Sequence, residues 1–259
     1  MTRHAYLDHP GPIPLAHRGF DLHGLENSMQ AFQAAIDLGF RYLETDVHAT
    51  ADGVLVAFHD PGLDRVTDGT GAIARMPWSQ VREARIGGVA EIPLLEVMLD
   101  TWPAARFNID IKAAGAIGPL VRVIERARAH DRVCVTSFSD TRRRQALRRL
   151  TRPVATSAGQ VTTARFRAAA QAGPRSRSVL TAWAMADADG LQIPVRFRGV
   201  PVVTRDTVAA AHAAGKFVHV WTVNDAAEMH RLLDLGVDGL VSDRADLLKQ
   251  VLADRGQWA

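Results

Sequence analysis

The sequence predicts an α/β fold: a (β/α)8 TIM barrel forming a single domain over residues 1–259, with a small insertion at about 48–104, after the second strand. Three observations carry this expectation. Eight short β-type runs recur with helical segments between them, the pattern of a parallel sheet with crossover helices, and eight such units suit a chain of 259 residues. The helical segments have readable start and stop signals. The alternation also breaks once, just after the second run.

The eight runs are residues 13–17, 42–47, 107–111, 133–136, 154–157, 190–193, 217–221 and 239–242. Between the first two, Asn27 or Ser28 is placed to cap a helix that buries Phe32, Ala35 and Ile36 and stops at Gly39. Between the last two, Asp225-Ala226-Ala227-Glu228 reads as a capping box, Met229, Leu232 and Leu233 share one face, and Gly236 supplies the stop. Only six residues separate Val47 from Val54, among them Thr50-Ala51-Asp52-Gly53, which is too few for a parallel crossover and right for a hairpin. Residues 54–58 are therefore expected to run antiparallel and to carry His59 back toward the same end of the barrel. From 61 to 102 the pattern is irregular, with the turn cluster Asp68-Gly69-Thr70-Gly71 and short helical stretches. It reads as an insertion over the catalytic face, where barrel enzymes vary.

A hydrophobic fraction of 47% is enough to bury a full core. The 31 basic and 28 acidic residues nearly balance, so a nucleic-acid partner is not expected. Cys134 is the only cysteine; it lies in an apolar run, reads as a small buried side chain, and excludes an intrachain disulfide. Residues 1–14 hold no apolar leader-like core, and no later stretch reaches the ~18 apolar residues of a membrane span. The expectation is a cytoplasmic protein without stable membrane insertion, its oligomeric state open.

Four polar clusters end apolar runs: His17-Arg18-Gly19, Glu44-Thr45-Asp46, His59-Asp60 and Asp110-Ile111-Lys112. Charged groups in such places are costly to bury unless paired or bound to metal. Glu44 and Asp46, two apart on a strand, project from the same face, which in a barrel is the interior, and a divalent cation with oxygen ligands relieves their repulsion. Asp110 and Lys112 repeat the spacing on the next parallel strand, with Phe107 and Ile109 in the opposite phase. Lys112 is one of three lysines in an arginine-rich chain, and its compact ammonium suits a point contact to phosphate. Arg18 offers a fork for phosphate, and Gly19 a tight backbone path. Two histidines beside a phosphodiester divide the work of proton transfer, one activating the nucleophile and the other protonating the departing alkoxide.

Other features take plainer readings. Trp221 ends the seventh run at the same rim, to pack either against substrate carbon or into the core. Arg142, Arg143 and Arg144, with Arg148 and Arg149, form a basic helix face expected to be solvated. His4, His130, His212 and His230 read as surface or packing residues.

These clusters resemble those of the glycerophosphodiester phosphodiesterases. The likeness extends through Glu26-Asn27-Ser28, Thr50-Ala51-Asp52-Gly53, Asp68-Gly69-Thr70-Gly71, Ile92-Pro93, Asn108-Ile109-Asp110-Ile111-Lys112, Ser137-Phe138, Trp221-Thr222-Val223-Asn224 and Asp238 to Asp243. The resemblance implies a TIM barrel and one divalent metal, Mg²⁺ or Ca²⁺ with Mn²⁺ as a further candidate, held by Glu44, Asp46 and Asp110. It implies His17 and His59 as the acid and base pair, Arg18 and Lys112 as phosphate contacts, and Glu26 as a metal ligand or a support behind the site. The implied substrate is a small glycerophosphodiester, hydrolysed to an alcohol and sn-glycerol 3-phosphate. Two other readings stay open: a lysophospholipase D-type activity on single-acyl lipids, and a phosphate-binding barrel without catalysis. Asp110 stands where relatives usually have glutamate, and its shorter arm points to a water-bridged ligand or a different ion. Ser28 stands where threonine is common.

Overall fold

The computed structural model describes residues 4–20 and 23–259. In chain order the elements are β1 (Ile13–His17), α1 (Met29–Asp37), β2 (Tyr42–Ala49), β3 (Leu55–Ala57), α2 (Trp78–Val81), β4 (Arg85–Ile86), β5 (Ala90–Glu91), α3 (Leu95–Thr101), β6 (Arg106–Ile111), α4 (Ile117–Arg126), β7 (Val133–Thr136), α5 (Asp140–Leu147), β8 (Ala155–Thr156), α6 (Gln160–Ala170), α7 (Pro174–Ala184), β9 (Gly190–Pro194), β10 (Arg196–Phe197), β11 (Val200–Pro201), α8 (Arg205–Ala213), β12 (Phe217–Trp221), α9 (Ala226–Asp234), β13 (Gly239–Ser242) and α10 (Ala245–Asp254). Eight parallel strands follow one another in the order β8-β7-β6-β2-β1-β13-β12-β9. A parallel bridge from Ser157 to Gly190 joins the two ends, so the eight predicted runs form a TIM barrel.

Side-chain parity builds two cores from these strands. Leu43 and Val47 of β2, Phe107, Ile109 and Ile111 of β6, Val133 and Val135 of β7, and Val218 and Val220 of β12 point outward and pack under the helices. The alternate residues Leu15, Tyr42, Cys134, Ala155 and Val241 pack together as a separate cluster at the barrel centre. Cys134 is fully buried there, as its apolar run implies, and burial pushes its thiol well above the usual range.

The capping signals act as read, with adjustments. Ser28 caps α1, its hydroxyl accepting from the Ala31 amide at 3.1 Å, while Ile36 is only partly buried. Asp225 caps α9 through the Glu228 amide at 2.9 Å, but the Glu228 carboxylate turns to Arg231, so only half of the capping box forms.

The break in alternation is a hairpin: β3 runs antiparallel to β2, with Val47 opposite Ala57 and Ala49 opposite Leu55. The chain after β3 builds a small lobe with its own core of Val56, Phe58, Leu63, Ile73, Val81, Ile86 and Ile92. Two aspartates hold it. Asp52 accepts from Thr50 Oγ1 at 2.5 Å and from the Trp78 amide, and Asp68 accepts from the Arg85 amide at 2.7 Å. Helix α3 returns the chain to the barrel, burying Leu95, Met98 and Leu99 in the main core.

The arginine run on α5 is not the solvated face the sequence suggested. Arg143 is fully buried, donating to Asp140 and Asp187; Arg144 also pairs with Asp187; and Arg142 donates to Ser137 Oγ at 3.1 Å and to the Lys112 carbonyl. Arg148 and Arg149 face water, and Arg144 is half-buried. The reason is tertiary: α5 packs beside residues that supply acceptors, which helical spacing alone cannot reveal.

Candidate active site

Register brings the predicted residues together. His17 of β1 pairs with Glu44 of β2, Glu44 lies opposite Asn108 of β6, Asp46 opposite Asp110, and Asp110 opposite Thr136 of β7. Because these residues share the inward phase, their side chains converge at the strand C-termini. They line a cavity of about 480 Å³, together with Arg18, His59, Lys112 and Trp221.

The turn after β1 positions two of these groups. Arg18 adopts a left-handed conformation, φ 56°, pinned by its amide to the Glu44 carbonyl at 2.9 Å and by its carbonyl to the Asn27 amide at 2.9 Å. Gly19 follows at φ 89°, and a Cβ there would stand 2.6 Å from the Ala31 carbonyl carbon. Both the conformation and the space demand glycine. Gly19→Ala is therefore expected to destabilise the protein by about 2 kcal/mol or more, read as a lower urea midpoint with unchanged slope.

Each candidate catalytic imidazole is anchored at Nδ1 by a carboxylate, an arrangement that sets tautomer and orientation. His17 Nδ1 meets Asp243 Oδ1 at 2.5 Å, and Asp243 in turn accepts from Asn224 Nδ2 at 2.7 Å. Its Nε2 stands 3.7 Å from Glu44 Oε2. Burial opposes protonation of His17, but the Asp243 hydrogen bond and the Glu44 charge outweigh it, and the imidazole titrates above its usual range. His59 Nδ1 meets Asp60 Oδ1 at 2.5 Å, Asp60 also pairs with Arg65, and the hairpin places His59 at the cavity edge, about one third exposed. Beneath it His48 Nε2 lies 3.1 Å from the His59 carbonyl.

The carboxylates and cations form one network. Arg18 Nε lies 3.1 Å from Asp46 Oδ2, and Lys112 Nζ lies 2.8 Å from both Asp46 Oδ1 and Asp110 Oδ2. Burial opposes ionisation of Asp46, yet Lys112 and Arg18 prevail and hold its carboxyl below the usual range. Glu44 lacks such support: burial and the neighbouring Asp46 push it up to about 7. Burial also raises Asp110, with Lys112 offsetting part of the effect.

Three buried carboxylate oxygens, Glu44 Oε2, Asp46 Oδ2 and Asp110 Oδ1, accept no well-aligned hydrogen bond, although Asp46 Oδ2 keeps its ion pair with Arg18 Nε. Orphaned anionic oxygens of this kind are the donor set of a hard divalent cation. In the arrangement present, Lys112 supplies the positive charge between Asp46 and Asp110. Among the described residues no three acidic, histidine or cysteine side chains already form a cage.

Glu26 is placed outside the cavity, accepting from Arg18 Nη1 at 3.0 Å and from Arg65 Nη2 at 2.6 Å. Its geometry is that of a support for Arg18. Trp221 is at the rim, 5.6 Å from Phe138 edge to face, and Phe138 also lies under the Lys112 ammonium at 5.4 Å. Sequence reasoning passed over Asp60, Asp243, Asn224, Arg65 and His48 as individual actors. The His59-Asp60 dipeptide and the shared ends of β12 and β13 were the available signals; Arg65 had none, because it reaches Glu26 from across the inserted lobe.

Below the site, Asn108 and Gln192 exchange amide hydrogen bonds at 2.8 and 3.2 Å, and Gln192 Nε2 approaches His219 Nδ1 at 3.4 Å. Burial alone pushes His219 down to about 3. An unfolded imidazole gains its proton near 6.5, so the unfolded chain binds more protons between those values. The contribution of His219 to stability is thus complete above about pH 6.5 and lost as pH falls toward 3. Urea melts at pH 7, 5.5 and 4.5 are expected to show a shallower acid loss for His219→Gln than for the unsubstituted protein.

Comparison with known proteins shows the family and the fold. A probable glycerophosphodiester phosphodiesterase 2 of Mycobacterium tuberculosis is 51% identical over 98% of this chain and 95% of its own length. A putative glycerophosphoryl diester phosphodiesterase from Silicibacter pomeroyi has the same fold, with a TM-score of 0.81 at 22% identity, covering 99% of this chain and 100% of that one. An Oleispira antarctica phosphodiesterase, solved with its product sn-glycerol-3-phosphate, superimposes with a TM-score of 0.75 at 23% identity, covering 94% of this chain and 97% of that one. The model of the glycerophosphoryl diester phosphodiesterase family matches residues 17–247, from the first candidate histidine to the last barrel helix, and the chain belongs to that family.

Proposed function

We propose that the protein hydrolyses glycerophosphodiesters to an alcohol and sn-glycerol 3-phosphate, with one divalent metal ion. Family membership supports the reaction class. The observation that carries the reading is the pair of imidazoles, each fixed at Nδ1 by a carboxylate, around a cavity that also holds Arg18, Lys112 and three buried carboxylates with orphaned oxygens.

Arg18 and Lys112 bind the phosphate oxygens, and their charge favours the more negative transition state. One imidazole takes a proton from the attacking oxygen as its bond to phosphorus forms. The other delivers a proton to the alkoxide as the phosphorus–alcohol bond breaks. Asp243 and Asp60 keep the two rings oriented throughout. Glu44, Asp46 and Asp110 would hold the cation, which when bound supplies Lewis-acid charge to the phosphate. Glu26 keeps Arg18 aimed into the cavity, and Trp221 forms part of the wall.

A second reading, cleavage of a single-acyl lysophospholipid, is favoured by the apolar wall of Phe138, Ile193, Pro194, Phe197, Val202 and Trp221. Turnover of glycerophosphocholine and lysophosphatidylcholine with Mg²⁺, Ca²⁺ and Mn²⁺ separates the two. The proposal expects hydrolysis of the small diester; activity confined to the lipid favours the second reading. No hydrolysis across a diester panel would make the barrel a binding protein.

A further inference from the structure

Among the described residues, most of the large apolar side chains left exposed fall on α6, on α7, which packs along α6, and on the β10–β11 hairpin, which flanks the same cavity as α6. Val161 lies on α6, Val179, Leu180 and Trp183 on α7, and Phe197 and Val200 on the β10–β11 hairpin, between 40 and 70% exposed. Val179, Leu180 and Trp183 fall at i, i+1 and i+4, one stripe of α7, whereas Thr181 and Ala184 turn inward. Phe197 is both exposed and part of the cavity wall, so this surface is continuous with the mouth of the active site.

The charge of the same segments is one-sided. From Gln160 to Ala186 the chain has Arg165, Arg167, Arg175 and Arg177 and no acidic residue, and from Pro194 to Pro201 it has Arg196 and Arg198 and no acidic residue. Arg165, Arg177, Arg196 and Arg198 are exposed, and among the described residues none has a carboxylate within ion-pair distance. Exposed arginines elsewhere are mixed: Arg126 pairs with Glu96 and Arg231 with Glu228, whereas among the described residues Arg41, Arg82, Arg122 and Arg205 have no ion pair, so what sets these segments apart is their lack of any acidic residue.

We propose that α6, α7 and the β10–β11 hairpin form a peripheral docking surface for an anionic lipid bilayer, with the active-site mouth at its edge. An exposed tryptophan and aliphatic stripe on segments whose only charged residues are arginines is the composition of an interfacial surface. The apolar groups enter the headgroup boundary, and the guanidinium groups meet lipid phosphates. A protein partner of ordinary composition would be expected to meet acid as well as base, and these segments themselves carry arginines alone, with Glu228 of α9 within electrostatic reach of Arg196. The surface lies on the membrane without crossing it; among the described residues no helix is long and apolar enough to span one.

The test is co-sedimentation of the full chain with vesicles of phosphatidylglycerol and phosphatidylcholine in equal parts, against vesicles of phosphatidylcholine alone. Binding to the anionic vesicles only, weakened by salt, is expected. Val179→Ser with Trp183→Ser should weaken it about tenfold, and Arg196→Glu with Arg198→Glu at least as much, both with unchanged melting temperature. In the unsubstituted protein the vesicles should shift tryptophan emission to the blue, and Trp183→Ser should remove that shift. No sedimentation with anionic vesicles, or sedimentation that the double variants leave intact, overturns the proposal. A dimer in size-exclusion chromatography that Val179→Ser with Trp183→Ser converts to monomer would assign the surface to a second copy instead and also overturn it. None of these readouts depends on diester hydrolysis.

Discussion

Replacement of His17 by alanine is expected to lower kcat/KM on glycerophosphocholine about 10²–10⁴-fold, the usual worth of a positioned proton-transfer group. The structure explains why so much should rest on one ring. Its Nδ1 is tied to Asp243, which Asn224 holds in turn, so Nε2 has a single orientation beside Glu44. Against the effect of burial, the Asp243 hydrogen bond and the Glu44 charge favour the protonated ring. Asp243→Asn leaves the ring in place but removes the charge that raises its pKa, so a smaller loss, about tenfold, is expected. The pH dependence assigned to His17 should then move to lower pH. Steady-state rates from pH 5 to 9, with circular dichroism to verify folding, check both. A loss below about threefold in His17→Ala would take His17 out of the proton-transfer pair.

Removal of divalent cations with EDTA is the second large effect. Turnover is expected to fall more than about 10²-fold and to return on adding Mg²⁺, Ca²⁺ or Mn²⁺. The reason is electrostatic. Glu44, Asp46 and Asp110 are at most 6% exposed, each has an oxygen without a hydrogen bond, and Lys112 and Arg18 neutralise Asp46 better than they do Glu44. A cation held among the three would supply the charge that Glu44 lacks. Glu44→Gln should abolish metal binding in calorimetry, a readout that does not pass through activity. Asp110→Glu restores a longer arm and is expected to change the order in which the ions activate. Full activity in EDTA would leave Arg18 and Lys112 as the phosphate's only positive partners.

The legibility of the site depended on whether its parts were close in sequence. Glu44 and Asp46 announced themselves because a period of two can be read from the residues alone, and β6 repeated it in Asp110 and Lys112. The Asp243 anchor of His17 lies 226 residues away from it, across the closure of β1 against β13, and Arg65 reaches Glu26 over 39 residues. Such pairs leave no local trace. The arginines of α5 show the opposite failure. Helical spacing suggested a solvated face, but neighbouring acceptors at Asp187, Ser137 and the Lys112 carbonyl engage three of them, and Arg143 is fully buried.

Alternation, capping and turn chemistry are short-range, and they determined the barrel, the hairpin that returns His59, and the strand ends that carry charge. Register and closure are long-range. Only the folded chain decided that His17 faces Glu44, that Asp46 faces Asp110, and that Lys112 stands between two carboxylates. The physical reason is the same in each case: a side chain's direction is set by its own backbone, whereas its partner and its pKa are set by whichever residues the packing brings beside it.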